Sequence, residues 1–413
     1  MTTKKQNDLK INVVSGLDLG NGYVKGNNDG EMVSFPSVAA KLYNTTNDPK
    51  ISADELPAFM SNIINNMDLS FASPLVRDTV RRVFGERAMT SSFSLEEFDV
   101  FSRQSKAEVD LSGVLALASI AAHVLGLYWK NYNALPDTTI KANVALATAL
   151  PIGEFKKHTQ AYREAYLNNG KHHTVTFHNF ESPLSIEITF DAVYVANEGE
   201  AAQYGLMLGG DMFLNMIAET ARKRFPNGEL DEITGSDLVT AKNTLGIDIG
   251  EGTIDFAVFT NGKFNSDAST TFQQGYGNVL ETALDRLRNE AGYPYNSRKE
   301  LSEFLTQTPS ILTRKKWERV QGVVREEAAK FSDQLINEVS KVFSRRGSFV
   351  EVVFVYGGGA TPLDESLFTR LQTLIAGFGD EQLLPIVYLD SNYSRFLNEH
   401  GLYQLAERLV PKN

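Results

Sequence analysis

The chain has 413 residues, no cysteine and a formal net charge of −11, from 40 Lys and Arg against 51 Asp and Glu. Its 42% hydrophobic and 22% charged composition is that of a globular protein with more than one sizeable core, and the length leads one to expect two to four domains. Absence of cysteine excludes a disulfide scaffold, a thiolate zinc site and a cysteine nucleophile. The acidic balance argues against a protein that coats DNA, because phosphate affinity comes from clustered Lys and Arg. The polar start, Met1 to Asp8, has no apolar signal core, and no stretch of about 18 apolar residues is read. A cytoplasmic protein without direct nucleic-acid or membrane contact is expected.

In chain order, residues 11–19 read as a buried strand that ends in a sharp turn at Gly20-Asn21-Gly22. Residues 31–38 and 139–150 read as strands, and Leu111–Leu127 as a buried helix with apolar residues at three-to-four spacing. Residues 175–195 alternate like antiparallel strands. A helix over about 199–223 follows and ends near Pro226-Asn227-Gly228. The second half begins with an apolar strand, a glycine turn and another strand over 245–259, then helices over 277–290 and 314–345. A strand over 350–356 runs into Gly357-Gly358-Gly359, which opens a helix, and a last helix spans 402–409. Strands alternating with helices argue for an α/β protein.

Gly16-Leu-Asp18-Leu-Gly20-Asn21-Gly22 and Gly246-Ile-Asp248-Ile-Gly250-Glu251-Gly252 follow one pattern, Gly-Φ-Asp-Φ-Gly-x-Gly, where Φ is Leu or Ile. Asp18 and Asp248 lie 248 − 18 = 230 positions apart, too far for a solenoid and suited to two related domains. Glycines let successive backbone N–H groups converge on an anion, which makes a phosphate cradle. In the first copy, Asp18-Leu-Gly20-Asn21-Gly22-Tyr23-Val24-Lys25, Lys25 can supply a point charge to phosphate. Asp18 can hold a hydrated Mg²⁺, an ion that usually keeps several waters. In the second copy, Asp248-Ile-Gly250-Glu251-Gly252-Thr253, Asp248 offers the matching carboxylate. Glu251 must either point outward or meet the metal. The Gly357-Gly358-Gly359 turn follows an apolar strand, where open α/β sheets bind ligands, and leaves backbone on which a nucleoside can lie. The simpler alternative for the first motif alone is a glycine-rich hairpin without a ligand.

Three glycine turns in this order resemble the actin-like ATPase superfamily of actins, heat-shock seventy-type chaperones, and sugar and acetate kinases. Asp18, Gly20, Gly22 and Lys25 fall on that superfamily's Asp-x-Gly-x-Gly-x-x-Lys. Phe35-Pro36-Ser37 is similar to the Phe-Pro-Ser segment of actins, and Val83-Phe84-Gly85-Glu86-Arg87-Ala88 to their Val-Gly-Asp-x-Ala strand end. Ala147-Thr-Ala-Leu150-Pro151-Ile152-Gly-Glu-Phe155 resembles the Thr-Gly-Leu-Pro-Ile-x-x-Phe stretch of the plasmid-segregating bacterial actins, ParM and the Alp group. The tail, Asp390 through Asn398 and Gly401 to Tyr403, is similar to that branch's ending.

The resemblance implies an actin-like, two-lobed fold, with duplicated ribonuclease-H-like core domains around a nucleotide cleft. Lobe I would take 1–197 with 390–413 returning to it, and lobe II 198–389. ATP or GTP with Mg²⁺ would bind through Asp18, Gly20, Asn21, Gly22, Tyr23, Lys25, Gly250, Gly252, Thr253 and Gly357 to Gly359. Asp18 and Asp248 would meet the metal through water. Val193-Tyr-Val-Ala-Asn197-Glu198 stands where the branch carries Val-x-Pro-Glu, so the water-positioning role passes to Glu198, with Glu200 as the nearby competitor and Asp248 as a second catalytic group. An insertion is expected around 206–240. Glu326 and Lys330, one turn apart, would touch the nucleoside, against the alternative of a solvated helix face. The implied function is a nucleotide-driven filament that segregates plasmid DNA through a separate DNA-binding adaptor. The alternatives on this fold are a non-polymerising kinase or a chaperone-like ATPase. His172, His173 and His178 read as surface residues, and Arg81-Arg82 and Arg314-Lys315-Lys316 as solvated or subunit-contact faces.

Overall fold

The computed structural model describes residues 10–43, 50–99, 104–225, 228–291, 295, 297–346, 350–377 and 384–411. Met1–Asp8 and the Pro226-Asn227 part of the expected helix end lie outside these residues. The chain divides into two units, one of Met1–Leu150, Glu154–Gly205 and Asn398–Asn413, the other of Pro151–Gly153 and Leu206–Leu397. The last two crossings come at 205/206 and 397/398, eight residues beyond the sequence boundaries at 197/198 and 389/390. Packing accounts for both shifts. Ala201, on the Glu198–Leu208 helix, joins Ala147, Ala196, Leu402 and Ala406 in an apolar cluster of the first unit. Ser394, in turn, donates its hydroxyl to the Gly357 carbonyl of the second, at 2.9 Å.

The first unit carries one ten-stranded sheet. In chain order its strands are β1 (Lys10–Leu19), β2 (Tyr23–Asn28), β3 (Glu31–Pro36), β4 (Val38–Leu42), β5 (Asp68–Ala72), β6 (Arg81–Phe84), β7 (Leu95–Glu97), β8 (Ile140–Leu150), β9 (His173–Phe177) and β10 (Leu184–Asn197). Their order in space is 3-2-1-8-10-9-5-6-4-7. β1, β8 and β10 are parallel, with Leu17 beside Thr148 and Asn197 beside Leu150, so their carboxyl ends share one edge. Ser15 to Leu19 are all buried, as a parallel strand covered on both faces requires. The strand expected over 31–38 breaks at Ser37. That residue's N–H and hydroxyl donate to the carbonyls of Gly22 (3.0 Å) and Gly20 (2.6 Å), which ties the chain back to the first glycine turn.

The expected helix over 111–127 runs from Asp110 to Tyr132, and every residue from Leu111 to Ala122 is buried. It is therefore covered all round rather than along one stripe. By length and composition alone it could also cross a membrane, but a buried core helix meets the same test. Ser112 and Ser119 interrupt the apolar run without leaving the core. The helix expected over 199–223 is two helices, Glu198–Leu208 and Gly210–Arg224, separated at Gly209 and Gly210, the latter at φ +73°.

Two surface readings are corrected. His173 is fully buried, its Nε2 2.7 Å from the Tyr166 carbonyl and its Nδ1 2.7 Å from the Ser73 hydroxyl, and burial lowers its pKa. Arg82 is also fully buried, with Nε 2.7 Å from Glu96 and Nη1 donating to the carbonyls of Asp78 and Val80. Its neighbour Arg81 grips the buried Asp68 with two nitrogens. These guanidiniums satisfy buried acceptors, a role that Arg's planar fork suits. Arg314 and Lys315 are exposed, while Lys316 lies over the rings of Tyr295 and Phe304.

The second unit has β11 (Thr244–Ile249), β12 (Ile254–Thr260), β13 (Lys263–Phe264), β14 (Thr270–Phe272), β15 (Val352–Tyr356) and β16 (Ile386–Tyr388), in the order 13-12-11-15-16 with β14 on β12. Antiparallel pairing joins β11 to β12 and β12 to β13, and parallel pairing joins β11, β15 and β16. Strands 3-2-1-8-10 of the first unit repeat this pattern, which makes the duplication suggested by the two motifs a structural one. The Tyr276–Ala291, Arg314–Arg346 and Ala360–Ala376 helices occur where the sequence places helices. The Arg298–Thr306 helix, capped by the Ser297 hydroxyl, was not read from sequence.

Gly401 marks the closest approach of the tail helix: a Cβ there would lie 1.8 Å from the Ala201 carbonyl oxygen. Gly401→Ala should therefore cost about 1–3 kcal/mol or more through overpacking. Gly126, in the long core helix, would meet no atom within 4 Å, so Gly126→Ala should instead add roughly 0.5–1 kcal/mol. Denaturant midpoints of the two variants, moving in opposite directions, check both.

Candidate functional site

Asp18 leaves the end of β1 with only 7% exposure, and its cross-strand partner is Lys25, whose Nζ lies 3.8 Å from Oδ2. Burial raises the Asp18 carboxyl above its ordinary pKa. Lys25 and Lys106 oppose that rise, and the charges of Glu198 and Glu399 add to it. Five charged groups of the first unit thus meet electrostatically at the first glycine turn. Gly20, Asn21 and Gly22 are half-buried there, and Tyr23 is 43% exposed.

Glu198 begins the helix that follows β10, at the same sheet edge as Asp18. Its side chain is 12% exposed and its Oε1 lies 3.5 Å from Lys106 Nζ. The competing Glu200 is otherwise engaged. Its carboxylate accepts from the Tyr194 hydroxyl (2.8 Å) and the Asn197 amide, while its N–H donates to Asn197 Oδ1 (2.8 Å). Asn197, which replaces the branch's proline, therefore acts as a helix cap, and Glu200 completes it. Of the two acids, Glu198 is the one set among the charges around Asp18.

In the second unit Asp248 is also 7% exposed, beside Tyr356 of β15 and opposite Asp255 of β12. The triple-glycine turn is shaped by this carboxylate. Gly357 has φ +94°, and a Cβ on it would lie 2.3 Å from Asp248 Oδ1. A Cβ on Gly358 would meet no atom within 4 Å, so packing does not require the missing side chain there. The second hairpin is closed by Gly250 N–H to the Thr253 carbonyl (3.0 Å), and Gly252 is buried within it. Glu251 turns toward Arg298, at 3.4 Å, and its carbonyl accepts from Gly277 N–H.

Glu326 is exposed and pairs with Arg286 at 2.5 Å. Lys330 reaches Glu327 at 2.7 Å, and Arg286 reaches the same carboxylate at 3.1 Å. Glu326 and Lys330 are thus linked through Arg286 and Glu327, two residues that the sequence reading passed over. It also missed Lys106, Asp255 and the fully buried Glu399, whose Oε2 lies 2.9 Å from His400 Nδ1. Arg286, Glu327, Lys106 and Glu399 belong to no local glycine pattern. Asp255 could have been found as the counterpart of Lys25 when the two hairpins are aligned.

Among the described residues no group of three or more His, Asp or Glu is placed to hold a metal ion. Asp18 and Asp248 are each a single buried carboxylate at a strand end, a kind of group that meets a hydrated divalent ion through its waters.

Residues 16–200 match a family model described as the N-terminal domain of actin-like proteins, and residues 246–369 one described as archaeal actin homologue MreB-like, C-terminal. The solved structure of the actin-like protein Alp7A aligns over 97% of this chain and 97% of its own, at 17% identity and a TM-score of 0.64. A 15-stranded ParM filament from Clostridium botulinum aligns over 97% and 99%, at 20% identity and a TM-score of 0.59. Bacillus thuringiensis ParM with ATP aligns over 96% and 99%, at 16% and 0.57. No curated protein matches the chain in sequence. Fold and duplicated hairpins together define a protein of the actin-like type. The chain belongs to the actin-like ATPase superfamily, and its neighbours there are ParM, Alp7A and archaeal actin homologues.

Burial pushes the Glu327 carboxyl up, but the hydrogen bonds from Lys330 and Arg286 outweigh it and hold the group below the ordinary 4.5. A depressed folded pKa means that the stabilisation is present above the unfolded value and lost as pH falls through the folded one. Glu327→Gln should cost about 1 kcal/mol at neutral pH, allowing for solvent screening. The gap to wild type should close as pH drops below about 4.5, measured by denaturant midpoints across that range.

Proposed function

We propose that the chain is a nucleotide-driven, filament-forming NTPase that segregates plasmid DNA through an adaptor. The observation that carries this reading is the paired Asp-glycine hairpin, which stands at the same strand end of the same five-strand pattern in both units. Backbone N–H groups of Gly20 to Gly22 and, in the turn that Gly250 closes, of Gly252 and Thr253 take the phosphates, and Lys25 neutralises part of their charge. Gly357 to Gly359, with Glu326 and Lys330, take the nucleoside of ATP or GTP. Mg²⁺ would neutralise phosphate charge when bound, with Asp18 and Asp248 accepting from its waters.

Glu198 orients the attacking water. The water oxygen bonds to the γ-phosphorus as the bond to the β–γ bridging oxygen breaks. That electron pair leaves with the diphosphate, and the water's proton is shed to the phosphate product. Positioning and charge stabilisation suffice for this reaction. ParM has been solved both with ATP and as a filament, which supports assembly of this chain with copies of itself. The −11 charge favours DNA coupling through a basic adaptor over direct contact.

Light scattering and sedimentation with Mg²⁺-ATP or Mg²⁺-GTP should show assembly and phosphate release without any added acceptor. No assembly at any concentration with either nucleotide would remove the filament reading, and a requirement for an acceptor would favour a kinase. Glu198→Ala and Asp248→Ala should each slow hydrolysis ~100-fold or more while nucleotide binding stays within a few-fold. Unchanged turnover in both variants would dismiss the assigned active site.

A further inference from the structure

Lys106 stands outside every glycine motif, yet its position is tightly fixed within the first unit. Its N–H donates to Glu154 Oε2 (3.0 Å), and its carbonyl accepts from the Ser112 hydroxyl (2.6 Å). The preceding Ser105 hydroxyl donates to the same Glu154 oxygen, at 2.5 Å. Two helices, Ile152–Leu167 and Asp110–Tyr132, therefore clamp this one residue's backbone. From that clamp the side chain, 13% exposed, extends to within 3.5 Å of Glu198, and its charge also acts on Asp18.

A surface ion pair loses most of its worth to the entropy of holding a long side chain in one geometry, and a fixed backbone at Lys106 lowers that cost. The groups whose charges act on Asp18 divide into the acids Glu198 and Glu399 and the cations Lys25 and Lys106. Lys25 belongs to the first hairpin, and so to the phosphates cradled there. Lys106 belongs to the Glu198 side. If Glu198 orients water toward a phosphoryl group, a cation 3.5 Å from that carboxylate is within reach of the group being attacked. Lysine suits the task as a compact point charge with three donors.

We propose that Lys106 is a substrate-contacting residue that exchanges Glu198 for the terminal phosphoryl group of a bound nucleoside triphosphate, and so distinguishes triphosphate from diphosphate. This rests on the nucleotide reading of the same site. In the ligand-free state the Lys106–Glu198 pair keeps both charges neutralised. With triphosphate bound, Lys106 moves its charge onto the γ-phosphate oxygens and leaves the Glu198 carboxylate to water. With diphosphate bound, Lys106 stays with Glu198.

The test compares affinities of the full chain for ADP and for a non-hydrolysable ATP analogue, each titrated against a fluorescent nucleotide. Lys106→Gln should weaken analogue binding about tenfold or more, as expected for a lost charge-assisted contact, and leave ADP binding within about twofold. Lys106→Arg should restore most of the difference, which a purely structural role would not require. Glu198→Gln should bind the analogue more tightly than wild type, since it removes a carboxylate that competes for Lys106 and repels phosphate. An unchanged ratio of the two affinities in Lys106→Gln, with binding intact, would overturn this inference alone. Failure of the wild type to bind either nucleotide would overturn the nucleotide reading as well. Should Lys106→Gln not fold, Glu154→Ala removes the acceptor of both bonds and so releases the clamp without removing the cation. That variant must then lower the analogue-to-ADP preference, or the proposal falls.

Discussion

Everything around the candidate site follows from the burial of one carboxylate at the end of one parallel strand, done twice. Asp18 and Asp248 are each 7% exposed, and a buried carboxylate is costly unless it is paired or hydrogen-bonded. Each unit answers that cost locally. In the first, Lys25 stands in register across the hairpin. In the second, the chain after β15 gives up side chains so that Asp248 can lie against backbone, and Gly357 adopts a left-handed φ to make that contact. The glycine turns are thus needed by the fold as well as suited to a phosphate. Gly358 differs from them, because packing gives no reason for its missing side chain.

Polar residues farther out fix these ends in place. Ser37 ties the return of β3 to the carbonyls of Gly20 and Gly22. Asn197 and Glu200 cap the helix that starts at Glu198, which fixes where its first carboxylate sits. Glu154 and Ser112 do the same for Lys106. In each case a side chain from a helix or strand holds the backbone of a neighbouring segment, and so the functional group that this segment carries. Removing such a support displaces the site without removing any of its charges, which is why supporting residues matter to a site held to sub-ångström tolerance.

What the sequence disclosed was local. The hairpins were legible because turn, carboxylate and lysine fall within eight residues, Asp18 to Lys25, and strand-to-helix alternation gave the α/β class. The tail helix and its Gly401 were legible for the same reason. What stayed hidden depends on partners distant in the chain. Arg82 looked like a surface cation, yet its acceptor Glu96 comes from the edge strand β7, which pairs with β4 on the far side of Arg82's own partner strand. His173 looked exposed, but Tyr166 and Ser73 satisfy both its nitrogens inside the core. Lys106 meets Glu198 across 92 positions (198 − 106), and no spacing rule reaches that far. The division of the 199–223 helix turned on Gly209-Gly210, where periodicity continued through a break in the backbone.

The two hairpins are duplicates that have since taken opposite electrostatic characters. Where the first has Asn21 the second has Glu251, and where the first has Lys25 the second has Asp255. Asp18 consequently faces a lysine across its ladder, while Asp248 faces a second carboxylate. Thr271 donates its hydroxyl to Asp255, and Arg298 meets Glu251, so the acidic excess of the second copy is managed by its own unit. A cation-bearing hairpin suits the anionic phosphates themselves, whereas a carboxylate-bearing one suits the waters of a hydrated divalent ion. The duplication therefore supplies one geometry twice, and two substitutions, at the positions of Asn21 and Lys25, give the two copies opposite charge.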